Sequence, residues 1–439
     1  MDPTGKIPPQ PWMTMPQTRK LMAALRAGGI EARFIGGCVR DSILKRPVKD
    51  IDIATPSEPQ AVIKALAQAE IKAIPTGLAH GTITAVIDKH HFEITTLRID
   101  VKTDGRRATV KFTDDWTKDA SRRDFTINTM SANENGDIFD PYDGLEDLAK
   151  GTVRFVGIAE NRINEDVLRM LRFFRFYAEY GRPPIDAEAI IACRKLGHRL
   201  VELSGERIRG EIFRILMAPN PADTISLMRS EKMLEHILPE AGDVGRLRAL
   251  AWLVERGIVL GGIKTDPVRR LGALIKPGIT KDEIKNICSR LRFSTRESNH
   301  LLGMALTDNS NGVAIIDIDG TSSQQDIRRA CYLLGKDLTL DRTLLKWAGS
   351  ISINPHQKPG ETEKWINILS TITSWQSVRF PLTGRHGLEI GANPGPALGH
   401  ALKKVEQWWA EGDFKAGFDA CLERLRVEIA TNNNNLTNI

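Results

Sequence analysis

Hydrophobic residues in the first third of the chain recur with two periods, one typical of strands and one typical of helices. Ile51 to Ala54 predicts a short strand, and Pro59 to Glu70 predicts an amphipathic helix. Thr82 to Ile87 and Phe92 to Ile99 alternate between apolar and polar residues, and the polar residues 88–91 between them predict a hairpin. Strands and helices are therefore mixed in this part of the chain.

The strand signals fade after about Pro141, and helical segments separated by Pro, Gly and Asn breaks replace them. Glu160 to Tyr180 predicts one strongly periodic helix that ends at Gly181, and Glu206 to Met217 predicts another. We expect an α+β N-terminal head, with a mixed sheet and flanking helices, followed by all-α neck, body and tail domains. The predicted boundaries are 1–148 for the head, 149–220 for the neck, 221–370 for the body and 371–439 for the tail.

Length and composition narrow the class of protein without identifying a function. With 439 residues the chain is too long for one core, because single cores stop growing near roughly 250–300 residues. Its 61 Lys and Arg against 55 Asp and Glu give a net charge of +6, a modest excess that suits a nucleic-acid partner without requiring one.

Five scattered cysteines without a CxxC pair argue against disulfides and zinc and fit a cytoplasmic location. No stretch approaches the roughly 20 apolar residues that span a bilayer, and residues 1–16 lack the apolar run of a secretory signal.

Two acidic residues, Asp50 and Asp52, are spaced so that a strand would carry both on one face. Ile51 and Ile53 would then be buried on the opposite face. Two carboxylates at such a short distance repel each other, and a divalent cation is the simplest way to compensate this repulsion. Magnesium in particular is usually held by one or two carboxylates together with substrate phosphates. Taken alone, an Asp-x-Asp spacing is more typical of a surface turn with two solvated acids.

A third acid, Glu93, lies in the second strand of the predicted hairpin, between Phe92 and Ile94. The alternation places its carboxylate on the face opposite these two apolar side chains. Together with Asp50 and Asp52 it would form a two-metal site for in-line phosphoryl transfer. On its own, Glu93 is better explained as an exposed strand residue.

A glycine pair, Gly36 and Gly37, stands between a predicted strand at residues 32–35 and a predicted helix that begins near Val39. Backbone N–H groups at such a turn can reach phosphate oxygens, and Arg40, one turn into the helix, adds a positive charge. The segment is not a P-loop, since no Gly-Lys-Ser/Thr follows, and it does not fit the G-x-G-x-x-G fingerprint. A tight strand–helix turn with structural glycines is the alternative.

In combination and in this order, these segments resemble the class II tRNA nucleotidyltransferases, a branch of a superfamily that also contains bacterial poly(A) polymerases. Further blocks continue the resemblance densely to about residue 217, thinly from 218 to 380, and again in the tail. The matching blocks are Gly36 to Asp41, Asp50 with Asp52, Phe92 to Arg98, Arg122 to Asn128, Asp140 to Leu148, Glu165 to Phe176, Glu206 to Glu211, and Gly391 to Gly399.

The resemblance implies template-independent addition of CCA to tRNA 3′ ends from CTP and ATP, with Mg²⁺ as cofactor and without a membrane or DNA partner. It implies that Asp50 and Asp52 bind the metal and that Glu93 is the third catalytic carboxylate. It also implies a nucleotidyltransferase head, a neck that recognises the base, and a body and tail that contact tRNA. The residues implied to bind the nucleotide are Gly37, Arg40, Arg123, Asp166, Arg169, Arg172 and Arg175.

The neck segment also has a physical basis for choosing a base. On the predicted helix, Asp166 and Arg169 are three positions apart and therefore neighbours, with Arg172 and Arg175 along the same stripe. An acceptor beside donors fits the amino-bearing edges of cytosine and adenine, whereas uracil and guanine would turn a carbonyl towards the carboxylate. Polar groups left unpaired in this way can favour the correct nucleotide over an incorrect one by about 10⁴-fold. A helix face with salt bridges, such as one from Glu165 to Arg169, is the alternative.

Other functions stay open at this point. A poly(A) polymerase of the same family would carry a Gly-Arg/Lys-Arg/Lys-Phe block, whereas this chain has Asp104 to Ala108 in that region. A CC-only enzyme would lack the loop after the third acid, but residues 98–113 are intact, and the polar residues 100–120 predict a mobile loop with strand edges. An A-only enzyme is a further alternative, and a catalytically silent RNA-binding protein would not need all three acids. The basic stretch 162–214 suits phosphate contacts with tRNA or a general RNA-binding surface.

Overall fold

The computed structural model of the protein describes residues 1–104, 107–259, 262–305 and 317–436. The chain forms two compact units. The first consists of Met1–Ala218 with Asp223–Pro239, and the second of Pro219–Ala222 with the residues from Glu240 onward. All strands in the described residues belong to the first unit. The finer division into head, neck, body and tail stays a prediction.

The strands form one mixed sheet and one separate hairpin. In chain order they are β1 (Gly5–Lys6), β2 (Arg33–Ile35), β3 (Asp52–Thr55), β4 (Lys72–Gly77), β5 (Thr82–Ile87), β6 (His90–Thr96), β7 (Arg98–Asp104), β8 (Arg107–Phe112), β9 (Ser131–Ala132) and β10 (Asp137–Phe139). Eight of them pair in the order β1-β10-β9-β2-β3-β6-β5-β4, and β7 pairs with β8. β3 and β6 run parallel, whereas the other neighbours in the sheet run antiparallel. The predicted α+β head with a mixed sheet is therefore confirmed.

Helices accompany this sheet and continue the first unit beyond it. The amphipathic helix predicted after β3 is present and begins at Pro59, where the missing N–H costs no helical hydrogen bond. Val62 and Leu66, four residues apart, turn its apolar face into the core. The helices as far as residue 237 are α1 (Pro11–Thr14), α2 (Pro16–Ala27), α3 (Gly37–Ile43), α4 (Pro59–Gln68), α5 (Trp116–Ser121), α6 (Gly144–Lys150), α7 (Ala159–Glu165), α8 (Leu168–Tyr180), α9 (Ala187–Leu196), α10 (Gly205–Met217), α11 (Pro221–Ser230) and α12 (Met233–Ile237), with 3₁₀ turns at Leu78–His80, Thr126–Asn128 and Gly197–Glu202.

The second unit is helical in its described residues, as predicted for the C-terminal half. Its helices are α13 (Val244–Glu255), α14 (Pro267–Leu274), α15 (Lys281–Arg290), α16 (Thr295–Ala305), α17 (Gln324–Leu334), α18 (Lys336–Ile353), α19 (Glu361–Ser374), α20 (Gly384–Glu389), α21 (Pro396–Glu411) and α22 (Phe418–Leu436). Capping boxes start three of them: Thr280 with Glu283 at α15, Ser323 with Asp326 at α17, and Thr383 with His386 at α20. None of the described helices in either unit has both the length and the apolar character that crossing a bilayer demands.

The single helix predicted from Glu160 to Tyr180 is wrong, because α7 and α8 replace it. Asp166 between them has an extended backbone, with φ −152° and ψ 110°. Its carboxylate accepts a hydrogen bond from the backbone N–H of Leu168 at 3.1 Å, as a residue at the start of a helix does. The hydrophobic period continues through this break, so the sequence pattern does not show it.

The loop predicted at residues 100–120 is also wrong in part. β7 and β8 pair antiparallel, beginning with Arg98 opposite Phe112, and α5 follows. Asp115 caps α5 by accepting the backbone N–H groups of Thr117 and Lys118. The segment has few apolar residues, so its strands escape a search for hydrophobic alternation. Residues 105 and 106 lie outside the described residues, and the mobility of the segment stays a prediction.

Candidate active site

A cavity of about 480 Å³ in the first unit brings together residues that are far apart in the sequence. Seven of the predicted site residues line it: Gly37, Arg40, Asp52, Arg123, Asp166, Arg169 and Arg172. Its lining is completed by Gly36, Asp124, Asn128, Leu168 and Phe176. The predicted residues Asp50, Glu93 and Arg175 are not among the lining residues.

The glycine turn forms one wall of this cavity. Gly36 has φ 65° and ψ −120°, a conformation in which any side chain would be strained. A Cβ atom added there would also stand 3.3 Å from Nη1 of Arg123. Gly37 follows as the first residue of α3. Backbone conformation and the closeness of Arg123 therefore both require a glycine at position 36.

Arg40 is a nearly buried cation beside this turn, with 8% of its surface exposed. Its Nη1 donates to Oδ1 of Asn128 at 2.5 Å, and its Nε donates to Asp41 at 3.0 Å. The guanidinium also lies 4.3 Å from the ring centre of Tyr180, a cation–π distance. The Tyr180 hydroxyl donates to Asp41 at 2.9 Å, so the whole group is interlocked. Arg40 therefore presents its charge to the cavity from a fixed position.

Of the three predicted acids, Asp52 and Glu93 lie on neighbouring strands, and Asp52 lines the cavity. Parallel pairing of β3 with β6 sets Asp52 opposite Glu93. Glu93 is exposed between the buried side chains of Phe92 and Ile94, as the alternation predicts. Asp50 is exposed and precedes β3, so the prediction that both aspartates lie within one strand is wrong. No hydrogen bond or ion pair with another described residue engages any of these three carboxylates.

The pKa of Asp52 lies above the ordinary value of an aspartate. Burial of the carboxylate is the largest cause and repulsion from Glu93 the second; Asp50 adds to the rise, whereas Arg123 opposes it. Among the residues that the structure describes, no group of three or more His, Cys, Asp or Glu side chains is arranged to hold a metal ion. The carboxylates are thus close enough to repel each other but do not form a complete protein cage. Such a partial set fits a cation that also binds substrate phosphates.

Arg123 reaches the cavity from the segment that follows α5. Its Nη1 donates to the backbone carbonyl of Asn128 at 3.3 Å, and its Nη2 lies 3.4 Å from the carboxylate of Asp119. Arg162 donates to the carbonyl oxygen of Arg123 at 2.8 Å and also to that of Arg122. These contacts hold the Arg123 backbone, and its side chain remains 18% exposed at the cavity wall.

Asp124 is a lining residue that the sequence analysis missed. Its Oδ2 accepts from Nε of Arg172 at 2.7 Å and also from Nη2, while its Oδ1 accepts from Nδ2 of Asn128 at 3.0 Å. Burial by itself would raise the pKa of Asp124, but the charge of Arg172 and the hydrogen bond from Asn128 lower it below the ordinary value. The signal available in the sequence was an acid directly after Arg122 and Arg123, inside a matching block.

Asp166 and Arg169 do not share one helix face as expected, because Asp166 stands in the break between α7 and α8. The Asp166 carboxylate accepts from Nη2 of Arg207 at 2.8 and 3.0 Å, and from the backbone of Leu168. Arg169 donates to Glu165 at 2.5 Å and to two backbone carbonyl groups. Both side chains nevertheless line the cavity. Asp166, held by Arg207, offers an acceptor, and Arg169, held by Glu165, offers donors. The salt bridge from Glu165 to Arg169, which the sequence left as an alternative, is present as well.

Arg175 lies outside the cavity lining. Its Nε is 3.1 Å from the buried Glu211, and its guanidinium lies 4.5 Å from the ring centre of Phe176. Most of the basic residues between 162 and 214 are ion-paired in a similar way. The pairs are Arg162 and Arg169 with Glu165, Arg172 with Asp124, Arg175 and Arg214 with Glu211, Arg194 with Glu231, Lys195 with Glu160, Arg199 with Glu202, and Arg207 with Asp166. The basic stretch is therefore largely neutralised by its own acidic neighbours.

Two protein families match the chain by sequence. The family described as "Poly A polymerase head domain" matches residues 32–154. The family described as "Probable RNA and SrmB- binding site of polymerase A" matches residues 184–243. The two matched ranges contain every residue predicted for the site except Asp166, Arg169, Arg172 and Arg175.

Similar proteins match over nearly the whole chain. CCA tRNA nucleotidyltransferase 1, mitochondrial, from Mus musculus is 32% identical over 405 residues, which span 90% of this chain and 86% of that protein. The CCA-adding enzyme of Streptococcus pneumoniae (strain CGSP14) is 31% identical over 415 residues, which span 92% of this chain and 96% of that protein.

Solved structures share the fold. The Bacillus stearothermophilus CCA-adding enzyme in complex with CTP superposes with a TM-score of 0.74 at 23% identity, covering 96% of this chain and 100% of that one. The Thermotoga maritima CCA-adding enzyme complexed with tRNA gives a TM-score of 0.65 at 18% identity, covering 97% of this chain and 99% of that one.

Proposed function

The chain belongs to the family of CCA-adding tRNA nucleotidyltransferases, and we propose that the cavity of the first unit is its active site. The protein adds CCA to the 3′ end of tRNA from CTP and ATP and releases diphosphate. The observation that carries the proposal for the site is that seven residues singled out from separate segments line one cavity. The proposed roles of neck, body and tail rest on the resemblance. The cytoplasmic location was expected from the scattered cysteines and stays a proposal, and the similar mouse protein is named as mitochondrial.

Members of this family use a divalent metal, and we propose that Mg²⁺ is held here by Asp50 and Asp52. Three observations fit a hard divalent cation. Both residues offer oxygen donors, no protein cation among the described residues is paired with them, and Asp52 is repelled by neighbouring carboxylates, which together with burial raises its pKa. When bound, the metal would stabilise negative charge on the phosphate that is transferred. Glu93 adds a third carboxylate opposite Asp52, and its repulsion is what a bound cation relieves.

The phosphate chain is assigned to the positive wall of the cavity. Arg40 and Arg123 present fixed guanidinium groups beside the turn at Gly36 and Gly37, so a triphosphate would be held there with its α-phosphorus towards the acids. In the reaction, the 3′ hydroxyl oxygen of tRNA bonds to the α-phosphorus while the bond to the departing diphosphate breaks. The rigid support of Arg40 by Asn128 and Asp41 means that little reorganisation is needed when charge shifts onto the leaving group.

The base is assigned to the lining residues of the segment 166–172. Asp166 offers an acceptor to the exocyclic amine of cytosine or adenine, and Arg169 and Arg172 offer donors to the neighbouring ring acceptors. Asp124 holds Arg172 through two nitrogens and thereby fixes one side of this pocket. Arg175, which is not a lining residue, would affect the nucleotide through Phe176, over which it stacks.

Removal of the divalent metal tests the metal assignment directly. Excess EDTA is expected to abolish transfer of labelled CMP to a tRNA that ends at its discriminator base, because the paired acids then leave phosphate charge uncompensated. Addition of Mg²⁺ beyond the chelator is expected to restore the rate. Binding of tRNA, measured by filter retention in the same two buffers, is the control and should persist. Transfer that continues in EDTA at a near-original rate would reject the metal site.

A further inference from the structure

Arg207 supports the Asp166 carboxylate from a different helix. It lies in the first turn of α10, 41 positions after Asp166, and is not among the residues that line the cavity. A single nitrogen, Nη2, donates to both carboxylate oxygens, at 3.0 Å to Oδ1 and 2.8 Å to Oδ2. The side chains of Arg207 and Asp166 are 25% and 20% exposed, so water screens this ion pair only in part.

The remaining acceptor capacity of Asp166 is small. An ionised carboxylate has about four acceptor positions on its two oxygens. Oδ1 accepts from the Leu168 backbone at 3.1 Å and from Arg207, whereas Oδ2 accepts from Arg207 alone among the described residues. One acceptor position is therefore open on Oδ2, in a residue that lines the cavity.

Arg169, the other arginine near Asp166, does not donate to the Asp166 carboxylate. Arg169 donates to the Glu165 carboxylate and to the backbone carbonyl groups of Arg162 and Arg122. The direction of the Asp166 carboxylate therefore depends on Arg207, from α10, and on the Leu168 N–H at the start of α8.

We propose that Arg207 is a positioning residue for base selection, which holds both oxygens of Asp166 so that one acceptor is presented to the base. An exocyclic amine satisfies that acceptor, whereas a carbonyl oxygen is repelled by it. Without Arg207 the carboxylate can rotate about its last single bond, so a correct base loses its acceptor and an incorrect base meets less repulsion. The inference rests on the proposed function, in which Asp166 contacts the base; Arg207 acts through Asp166 and does not touch the nucleotide.

The test compares Arg207→Met with a matched control. Met keeps an unbranched apolar stem but removes every hydrogen-bond donor. Arg199→Met is the control, because Arg199 is 27% exposed and also ion-paired, with Glu202 rather than Asp166. For each variant, kcat and KM are measured for CTP and UTP on tRNA that ends at the discriminator base, and for ATP and GTP on tRNA that ends in CC. Thermal unfolding is recorded beside them.

Arg207→Met is expected to lower the CTP-over-UTP ratio of kcat/KM by at least about tenfold, and Arg199→Met to leave it unchanged. Arg207→Lys is expected to recover much of the ratio, because one nitrogen contacts both oxygens in the native pair. A merely structural role for Arg207 would lower the rates for all four nucleotides together and leave the ratios intact. Should the Met variant fail to fold, Arg207→Gln takes its place, since its amide is too short to hold both oxygens.

The Asp166→Ala protein separates the possible failures. An unchanged ratio in folded Arg207→Met, with a lowered ratio in Asp166→Ala, would overturn the inference and leave the proposed function standing. Unchanged ratios in both variants would overturn the proposed base pocket as well. A Lys variant no more selective than the Met variant would contradict the single-nitrogen support on which the inference depends.

Discussion

Asp52→Asn is expected to lower the incorporation of both CMP and AMP by at least about 10³-fold at saturating nucleotide and magnesium. The amide keeps the shape of the side chain but carries no charge, so it cannot hold a divalent cation against the triphosphate. Folding should survive, because no other described residue pairs with this carboxylate and because its burial as a charge and its repulsion from Glu93, the two main causes of its raised pKa, are both relieved. Single-turnover rates, with thermal unfolding of the same samples, measure both effects.

Two further variants control this experiment. Asp50→Asn should also reduce the rate, since Asp50 is the second proposed ligand. Asp88→Asn should not, because Asp88 is an exposed acid in the β5–β6 turn with φ 54°, a conformation that Asn adopts readily. A near-native rate for Asp52→Asn in magnesium would mean that the metal site is assigned wrongly, and equal losses in Asp88→Asn would point to general damage.

Asp166→Ala is expected to lower the preference for CTP over UTP by about 10²-fold or more, together with a slower rate for CTP. The substitution removes the acceptor for the exocyclic amine and also the repulsion of a carbonyl group. It also leaves Arg207 without its carboxylate partner. The free energy of unfolding is therefore expected to fall by a small amount, as it does when a partly exposed ion pair is lost. Competition between all four nucleotides on tRNA that ends at the discriminator base measures the preference.

The salt-bridge interpretation of the same residues predicts a different outcome. If Asp166 serves only to join the two helices, its removal costs stability and leaves nucleotide preference intact. Glu202→Gln is the control, because Glu202 is also ion-paired, with Arg199, and neither residue lines the cavity. An unchanged preference for CTP in folded Asp166→Ala would show that this wall of the cavity does not choose the base.

Short-range alternation predicted much of the head. Glu93 is exposed and its neighbours Phe92 and Ile94 are buried, as a period of two requires. Alternation does not reveal which strands pair, and the parallel pairing of β3 with β6 is what sets Asp52 opposite Glu93. The resemblance of ordered motifs, rather than the pattern of one strand, therefore led to the acids as a group.

The parts that the sequence did not predict depend on contacts between distant residues. Arg172 could be assigned to the nucleotide, but its partner Asp124 stands 48 positions earlier. Asp166 was expected on a helix beside Arg169, whereas a local hydrogen bond to the Leu168 N–H starts a new helix and Arg207 supplies the cation. A hydrophobic period reports which face is buried and contains no information about such polar partners.

Sequencing of the product ends tests most directly whether this one cavity builds a defined CCA end. A tRNA that ends at its discriminator base is incubated with the protein, CTP, ATP and Mg²⁺, and the 3′ ends are then read. We expect C, C and A to be added in that order, with addition stopping after A, and no A to be added to the same tRNA when ATP is the only nucleotide. A tract of A residues, or products that stop at CC with ATP present, would contradict this function.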